Sequence, residues 1–520
     1  MTGNSNNIDI NNIDNISIDL NHEIQSYQRK NESLEIDSIH PINDLEKNID
    51  NDNDNDNDND NNYNDDDFTK PLSRIESIKS VRDEIPDKFS GWGLTSVIGC
   101  AFFNFNTWGA NSAYSLYLQA YLRDNIFDGA NKYSYAIIGG LTFSSGLIMS
   151  PFINYLVGII GVKSVILIGI IINFIAYMLA SYSTKLWEIY CTQGVLAGIG
   201  MGLICVANIG IVPQWFKGGP GGKRNLAMGF QAAGSGIGGI VYNIGLQPVL
   251  ENKSFRWSLR AQAIMCIGLN LISLLLVKTR NDKIKPVYKV YDKLIWKNFG
   301  CLCLLIWIMF TLFGYVVLLY NLGDFTRSLG YNQHQASVVS TMVSVGVIYG
   351  RPLCGRIGDI IGPVNITICA SWLVALFSWA MWIPCRNYAT AIVFAMFSGS
   401  IMGTIWLTLS TITASIVGLR KFGVAMSLSW ISVASFGFAS PIIGIALKKD
   451  GPQNPTQYQP ASIFVGLCYF MAGITLVIVR SWLISRNKKA NPEKDTEDDV
   501  LEINVTFKEV ISNLFAYGKV

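Results

Sequence analysis

From Trp92 to Trp482 the chain reads as apolar stretches of roughly 20 residues, divided by short polar or Gly/Pro-bearing loops. A helix of that length rises about 30 Å, the thickness of a bilayer's hydrocarbon, and satisfies its own backbone hydrogen bonds there. The spacing predicts twelve spans, near residues 92–121, 134–157, 164–182, 187–211, 225–249, 259–277, 298–322, 335–354, 364–383, 388–412, 422–447 and 460–481. Helices buried in a water-soluble fold would be shorter and interleaved with charged faces. Composition points the same way: only 15% of the 520 residues are charged, against about 25% in a soluble domain. An ordinary soluble enzyme is excluded, and the expected fold class is an all-α membrane protein.

Charge divides the chain further. Residues 1–86 hold 21 acids against 7 bases, and the remainder holds 17 against 33. Within the acidic part, Asn51 to Asp67 is essentially alternating Asn and Asp, too polar and too charged to repay the entropy of folding. The expected organisation is a disordered cytosolic tail at 1–86, a six-helix bundle at 87–277, a basic connector at 278–297, a second six-helix bundle at 298–481 and a cytosolic C-terminal tail at 482–520. No signal peptide precedes Trp92, so the first span is expected to serve as its own insertion signal. Nineteen Lys and Arg fall in the even-numbered gaps, at the span ends beside them and just past the last span, against ten in and beside the other gaps. By the positive-inside rule both termini are cytosolic. The connector is read as the topology signal, with a substrate vestibule or a contact with anionic lipid as its other readings. The plasma membrane is the expected location, with a vacuolar or other organelle membrane as the alternative.

The two bundles look alike. Ala136 to Pro151 can be laid on Ala336 to Pro352, Arg224 to Gly229 on Lys421 to Ser427, and Tyr114 to Asp124 on Tyr315 to Asp324, all at an offset of about 200 residues. Two six-span repeats around a midplane site form the architecture of secondary transporters, which rock one half against the other. A monomer with a small-molecule cargo is expected.

Other chemistries find no support. Gly218 to Arg224 (GGPGGKR) lacks the register and the hydroxyl of a phosphate-binding loop. Gly234-Ser235-Gly236-Ile237-Gly238-Gly239 matches a dinucleotide string but lies inside a span with no preceding strand, where small residues let helices approach closely. The ten cysteines form no CxxC pair, and His22, His40 and His334 are scattered, so neither a disulfide framework nor a metal site is suggested. No cofactor and no nucleic-acid partner is expected.

The stretch after the eighth span reads Gly350-Arg351-Pro352-Leu353-Cys354-Gly355-Arg356-Ile357-Gly358-Asp359-Ile360-Ile361-Gly362. Gly355, Asp359 and Gly362 match the Gly-x-x-x-Asp-x-x-Gly signature, and here the chain resembles the major facilitator superfamily. The resemblance implies a tight cytosolic turn in which Asp359 latches neighbouring helix ends in one state of the cycle. The first-half counterpart, Pro151 to Lys163, has Asn154 and no acid, so the second-half latch is expected to be the stronger.

A more specific likeness lies in Gln214-Trp215-Phe216-Lys217 followed by Lys223-Arg224-Asn225-Leu226-Ala227-Met228-Gly229. It is similar to the signature at the entry to span five of the monocarboxylate porter family, here interrupted by GGPGG. With Gly91-Trp92-Gly93 opening span one and Thr107 to Ser112 within it, the chain resembles that family's fungal branch over about residues 87–481. The resemblance implies symport of a monocarboxylate with a proton. It also implies that Arg351, the Arg before Pro, pairs with the substrate carboxylate, a role for which a guanidinium fork is suited. The other reading of Arg351 is a cap on the cytosolic helix end. Where those porters have a proton-carrying Asp four residues earlier, this chain has Val347. Where they have a Lys in span one, it has Asn111 or Ser112. Proton coupling therefore has no midspan carrier, unless Asp324 or Glu188 near a mouth serves.

An ionisable residue inside a span is a functional candidate by default, yet all nine acids between Phe89 and Val479 sit at span ends or in loops. The remaining site candidates are uncharged. Asn104, Trp108, Asn111 and Ser115 are spaced for one helical face, flanked by Thr107 and Tyr114. They either orient a small polar cargo or bond between helices. Asn208, Gln231, Tyr315, Asn321 and Trp406 lie in spans that line the cavity in the superfamily. The expected function is a secondary transporter of a small organic solute, with a facilitated carrier of a vitamin or polyol and a non-transporting nutrient receptor as alternatives. No catalytic grouping suggests an enzyme.

Overall fold

The computed structural model describes residues 85–518, apart from positions 125, 128, 129, 131, 220, 285, 450–453, 491–496 and 517. The acidic tail expected at 1–86 lies almost wholly outside the described residues.

Among the described residues twelve long helical rods follow one another. In the first half, α1 comprises Gly91–Asn104, Phe105–Gly109, Ala110–Ser112 and Tyr114–Asp124, and α2 comprises Lys132–Ile148 and Ser150–Ile160. Next come α3 (Val162–Ala180), α4 (Leu186–Ile189, Tyr190–Leu196 and Ala197–Asn208), α5 (Arg224–Asn252) and α6 (Phe255–Leu276). The second half runs α7 (Phe299–Ser328), α8 (Gln333–Ile361), α9 (Pro363–Phe377 and Ser378–Trp382), α10 (Tyr388–Met402 and Ile405–Val417), α11 (Phe422–Ala446) and α12 (Gln459–Lys489). Among the described residues nine helices are long and apolar enough to cross a membrane, and the two parts of α2, bent by 49°, make a tenth. The two that fall short are α1, which is interrupted, and α5, which carries six glycines with Asn225 and Gln231.

Lipid-facing surface is found on α3 and α6. Leu167, Ile168, Ile171 and Ile175 of α3 are exposed, and Leu275 of α6 is 78% exposed. In water such a surface would drive association; in a bilayer it is the matched solvent.

Two turns repeat between the halves. Gly161 (φ 85°) ends α2 and Gly362 (φ 102°) ends α8, each donating its amide to the carbonyl four residues back, Val157 and Gly358. The left-handed backbone there favours glycine. The stretch read as a loop after the eighth span is instead the last turns of α8: Gly350 to Ile361 are helical through Pro352, so the helix projects well beyond its apolar core. The matching proline of the first half, Pro151, stands at the bend of α2.

The connector is docked. Val287 N–H donates to the Arg420 carbonyl at 2.8 Å, while Arg280 N–H donates to Gln214 Oε1 at 2.7 Å. It thus bonds to both halves at one end of the molecule, called here the connector end. The C-terminal region differs from a simple tail. The twelfth helix runs eight residues past the expected limit to Lys489, and two short helices follow, α13 (Glu497–Glu502) and α14 (Phe507–Ser512). Leu501 and Val510 are buried in the second half's core, and Asn298 Nδ2 donates to the Leu501 carbonyl. Arg486 bonds the carbonyls of Ser415 and Ile416 at the end of α10, where a cation suits the helix dipole.

Candidate functional site

The two halves meet along two seams. At α5–α8, Gly229 packs on the Arg351 carbonyl, Gly236 on Val347 and Gly355 on the backbone of Asn225. Small residues of this kind let helix backbones touch in lipid. At α2–α11, Ser150 Oγ donates to the Ser427 carbonyl at 2.9 Å and Ser427 Oγ donates back to Ser150 at 3.3 Å. Further along, Ser144 Oγ donates to the Ala434 carbonyl at 3.1 Å. The glycine string 234–239 does what close packing requires: Gly234 lies against Ala101 and Gly238 against Phe105 and Gly109 of α1.

Arg351 sits inside the α5–α8 seam. It lies ten residues before the end of α8, about 15 Å along the axis, and it bonds across to the other half rather than to its own helix terminus. Nη1 donates to the Ala232 carbonyl and to Ser235 Oγ, both at 2.6 Å. Its guanidinium also rests on Gly403, at the break between the two parts of α10, and beside the Tyr315 hydroxyl. Nε is buried without a partner. Arg351 is 5% exposed, and all these partners are neutral. The helix-cap reading of Arg351 has no support in this geometry.

Other buried polar atoms lack partners as well: both amide atoms of Gln231 one residue before Ala232, Asn208 Oδ1 and Trp430 Nε1. Unsatisfied groups of this kind are costly unless a ligand, ion or water completes them.

The polar stripe of α1 does not persist as one face. Residues Phe105–Gly109 are wound as wide turns and the helix breaks again at Ala113, so each irregularity rotates the residues beyond it about the helix axis. Trp108 points to the other half and meets Trp406 at 5.1 Å between ring centroids. Asn111 and Tyr114 instead line a small cavity within the first half, with Thr142, Tyr177, Gln193 and Gln262. Tyr114 also donates to the Tyr135 carbonyl at 2.5 Å. Asn104 Nδ2 bonds back to the Cys100 carbonyl, and Ser115 to Ser112. Among the second-half candidates, Asn321 Nδ2 donates to the carbonyls of Val317 and Gly444, tying α7 to α11. Tyr315 and Trp406 stand together, ring edge to ring face at 5.8 Å. Of the expected cargo residues, therefore, the structure gathers Arg351, Tyr315, Trp108 and Trp406, it places Asn111, Tyr114 and Asn321 elsewhere, and it engages Asn104 with its own helix.

The two mouth acids are engaged. Asp324 Oδ2 accepts from Lys448 Nζ at 2.7 Å and from the Tyr458 hydroxyl at 2.5 Å. Glu188 caps its own helix through the amides of Thr184 and Lys185.

The signature acid bonds across to the other half. Both oxygens of Asp359 accept from backbone amides of the first turn of α5, Asn225 and Leu226. A second acid, Asp87, was not legible as functional. Its Oδ1 accepts from the amides of Lys217 and Lys223, so the GGPGG insertion closes around a carboxylate from the segment before α1. Its signal lay in the glycines, which free backbone amides to converge on an anion.

The chain is similar to known proteins. Residues 96–323 and 302–518 match the family model described as Major Facilitator Superfamily. The chain is 41% identical over 444 residues to the probable transporter MCH2 of Saccharomyces cerevisiae, covering 84% of this chain and 92% of that protein. It is 34% identical to the uncharacterized transporter ESBP6 of the same yeast, covering 77% of this chain and 60% of the relative. Among solved structures it is similar to the proton:xylose symporter XylE, with a TM-score of 0.58 and 12% identity, over 79% of this chain and 98% of that one.

Proposed function

The chain belongs to the Major Facilitator Superfamily and works as a membrane-embedded secondary carrier of a small solute, not as an enzyme, and we propose that the solute is a monocarboxylate held by Arg351. One observation carries this reading: a guanidinium buried between the halves, bonded only to neutral groups and with Nε unpaired. A buried charge with no counter-ion is expensive, and an anionic cargo would relieve that cost while matching the fork geometry of the side chain. The likeness of the α5 entry, Gln214 to Lys217 and Lys223 to Gly229, to the monocarboxylate porters supports the same cargo class. Alternating access follows from the seams: cargo bound at Arg351 on one half is exposed to one side or the other as α5 and α8 part.

Transport is uncoupled from protons or nearly so in this proposal, since Val347 occupies the proton carrier's place and Asp324 is paired with Lys448. The connector end faces the cytosol, because the Lys and Arg of the flanking gaps concentrate there. The carrier acts as a monomer in the plasma membrane, its basic connector against anionic lipid headgroups.

The test is counterflow of radiolabelled monocarboxylates in vesicles holding the purified chain. Arg351→Gln should lose at least about tenfold in uptake, as expected when a buried charge-assisted pair is truncated, while keeping its fold and yield. Parent-like uptake by that variant would remove the carboxylate from the proposal.

A further inference from the structure

Beside Arg351 the halves meet ring to ring. Trp108 of α1 lies 5.1 Å from Trp406 of α10, and its plane is within 20° of that of Trp430 of α11 at 6.2 Å. Trp406 and Trp430 stack at 6.4 Å, and Phe143 of α2 packs edge-on against Trp108 at 5.5 Å. Tyr315 joins this group to the cation, its ring against Trp406 and its hydroxyl against the Arg351 guanidinium. Guanidinium and indoles thus form one continuous surface. Trp430 is 3% exposed and its Nε1 donates to nothing, so the cluster holds an unmet donor as well as rings.

The chemistry of that surface is selective. Indole faces take a second flat ring in offset or edge-on geometry, and a guanidinium takes a carboxylate. Ring faces also attract cations, but a cationic cargo would meet Arg351, and no acid lies in the middle of a span to balance it. A short aliphatic acid would satisfy Arg351 and leave the rings unused.

We propose that the preferred cargo is an aromatic monocarboxylate, its carboxylate on Arg351 and its ring between Trp108 of one half and Trp406 of the other. This rests on the carboxylate reading above and narrows it. Trp108 and Trp406 touch in the present state, so the ring enters as the halves separate and replaces the contact Trp108 loses. A ligand shifts a conformational equilibrium only through such a difference in contacts between states. The cargo's ring, rather than its carboxylate, then promotes the rocking step.

Phenylpyruvate and pyruvate differ by one phenyl ring and test this directly. Uptake of each is measured in vesicles with the full-length parent, Trp406→Leu, Trp406→Tyr and Arg351→Gln. In the parent, kcat/KM for phenylpyruvate should exceed that for pyruvate by about tenfold or more, the discrimination a buried apolar ring confers. Trp406→Leu should bring the two within about twofold of each other, and Trp406→Tyr should retain most of the preference because it keeps a ring. Phenylpyruvate, but not pyruvate at the same concentration, should also quench the parent's tryptophan fluorescence. That binding assay decides the matter even if the leucine variant fails to fold. Equal handling of the two acids by the parent overturns the proposal, as does an unchanged ratio in a folded Trp406→Leu. If Arg351→Gln carries both acids as the parent does, the carboxylate reading itself is what fails.

Discussion

Asp359, near the end of α8, caps the first turn of α5: one carboxylate oxygen accepts the Asn225 amide at 2.9 Å and the other the Leu226 amide at 3.0 Å. The first amides of a helix have no partner in their own helix, and the dipole there favours a negative charge. The two helices belong to opposite halves, so this cap exists only while the connector end is closed. Asp87 takes the neighbouring Lys217 and Lys223 amides but belongs to the same half as α5, and it has no reason to let go. One acid holds a loop within its own half; the other bonds from half to half.

Asp359→Asn should therefore weaken closure without unfolding the carrier. Exchanging the carboxylate for an amide keeps one acceptor and loses the charge, roughly 1–2 kcal/mol or about tenfold in the closed-to-open ratio. Cys354, buried one residue before Gly355 of the seam with its thiol against the Ser400 carbonyl of α10, reports the change. With exposed Cys191 and Cys369 replaced by Ser, maleimide labelling of Cys354 should be about tenfold faster in the variant. An unchanged labelling rate would show that Asp359 does not latch the halves.

Glycines of α5 and α8 supply a sharper test, because their roles differ by position. A Cβ on Gly355 would stand 2.9 Å from the Asn225 carbonyl carbon and 3.0 Å from Leu226 Cα, both of them backbone atoms that cannot swing away. Gly355→Ala should hold the seam open and depress transport at least about tenfold, overpacking at a helix contact costing typically 1–3 kcal/mol. Gly245, also in α5, has nothing within 4 Å of its Cβ position. Gly245→Ala should transport normally and melt slightly higher, since alanine is the better helix former by up to about 1 kcal/mol. Equal effects at the two sites would mean that helix propensity, not seam contact, governs both.

How much of this was legible in the sequence depends on the range of the forces involved. Hydrophobic length is local, so twelve spans could be read directly, as could the close packing of Gly234 and Gly238. Arg351 was visible as the lone basic residue in the inner half of a span. The polar stripe of α1 misled because the wide turns at Phe105–Gly109 depend on packing against α5, not on the residues that wind. Trp430 was invisible as a site residue because nothing local tells a core tryptophan from one that meets Trp108 across a seam. The C-terminal region was read as a tail because its apolar residues, Leu501 and Val510, are too few to make a span; burying them takes the side of α12.

Uptake should depend weakly on pH. Val347 is 6% exposed and packs where Gly236 leaves no room for a solvated acid. Asp324, in α7 nine residues beyond Tyr315, is held by Lys448 and Tyr458. A proton symporter gains rate as the outside is acidified, and this carrier should change by less than about twofold for an acid already ionised across the range. Steep acid stimulation abolished by a protonophore would establish coupling through a residue other than these.

The C-terminal region should behave as part of the second half's core. Asn365 Nδ2 donates to the Gly518 carbonyl at 3.0 Å and Arg480 Nη2 to the Ala516 carbonyl at 2.7 Å, so the segment ties α9 to α12 while Leu501 reaches α7. Leu501→Ala removes a side chain that is 5% exposed and should cost about 2 kcal/mol or more, read as a lower melting temperature of the purified carrier. Lys489 donates to Glu509 at 2.8 Å and, with the Thr506 amide, holds that carboxyl below the usual glutamate range. A carboxyl lowered on folding contributes stability above its ordinary range and loses it as the pH falls through the lowered value. Glu509→Gln should therefore narrow the gap in melting temperature between neutral and acid solution, by a small amount because the pair is exposed. A Leu501→Ala carrier that melts with the parent would mean that the segment lies on the bundle without bracing it.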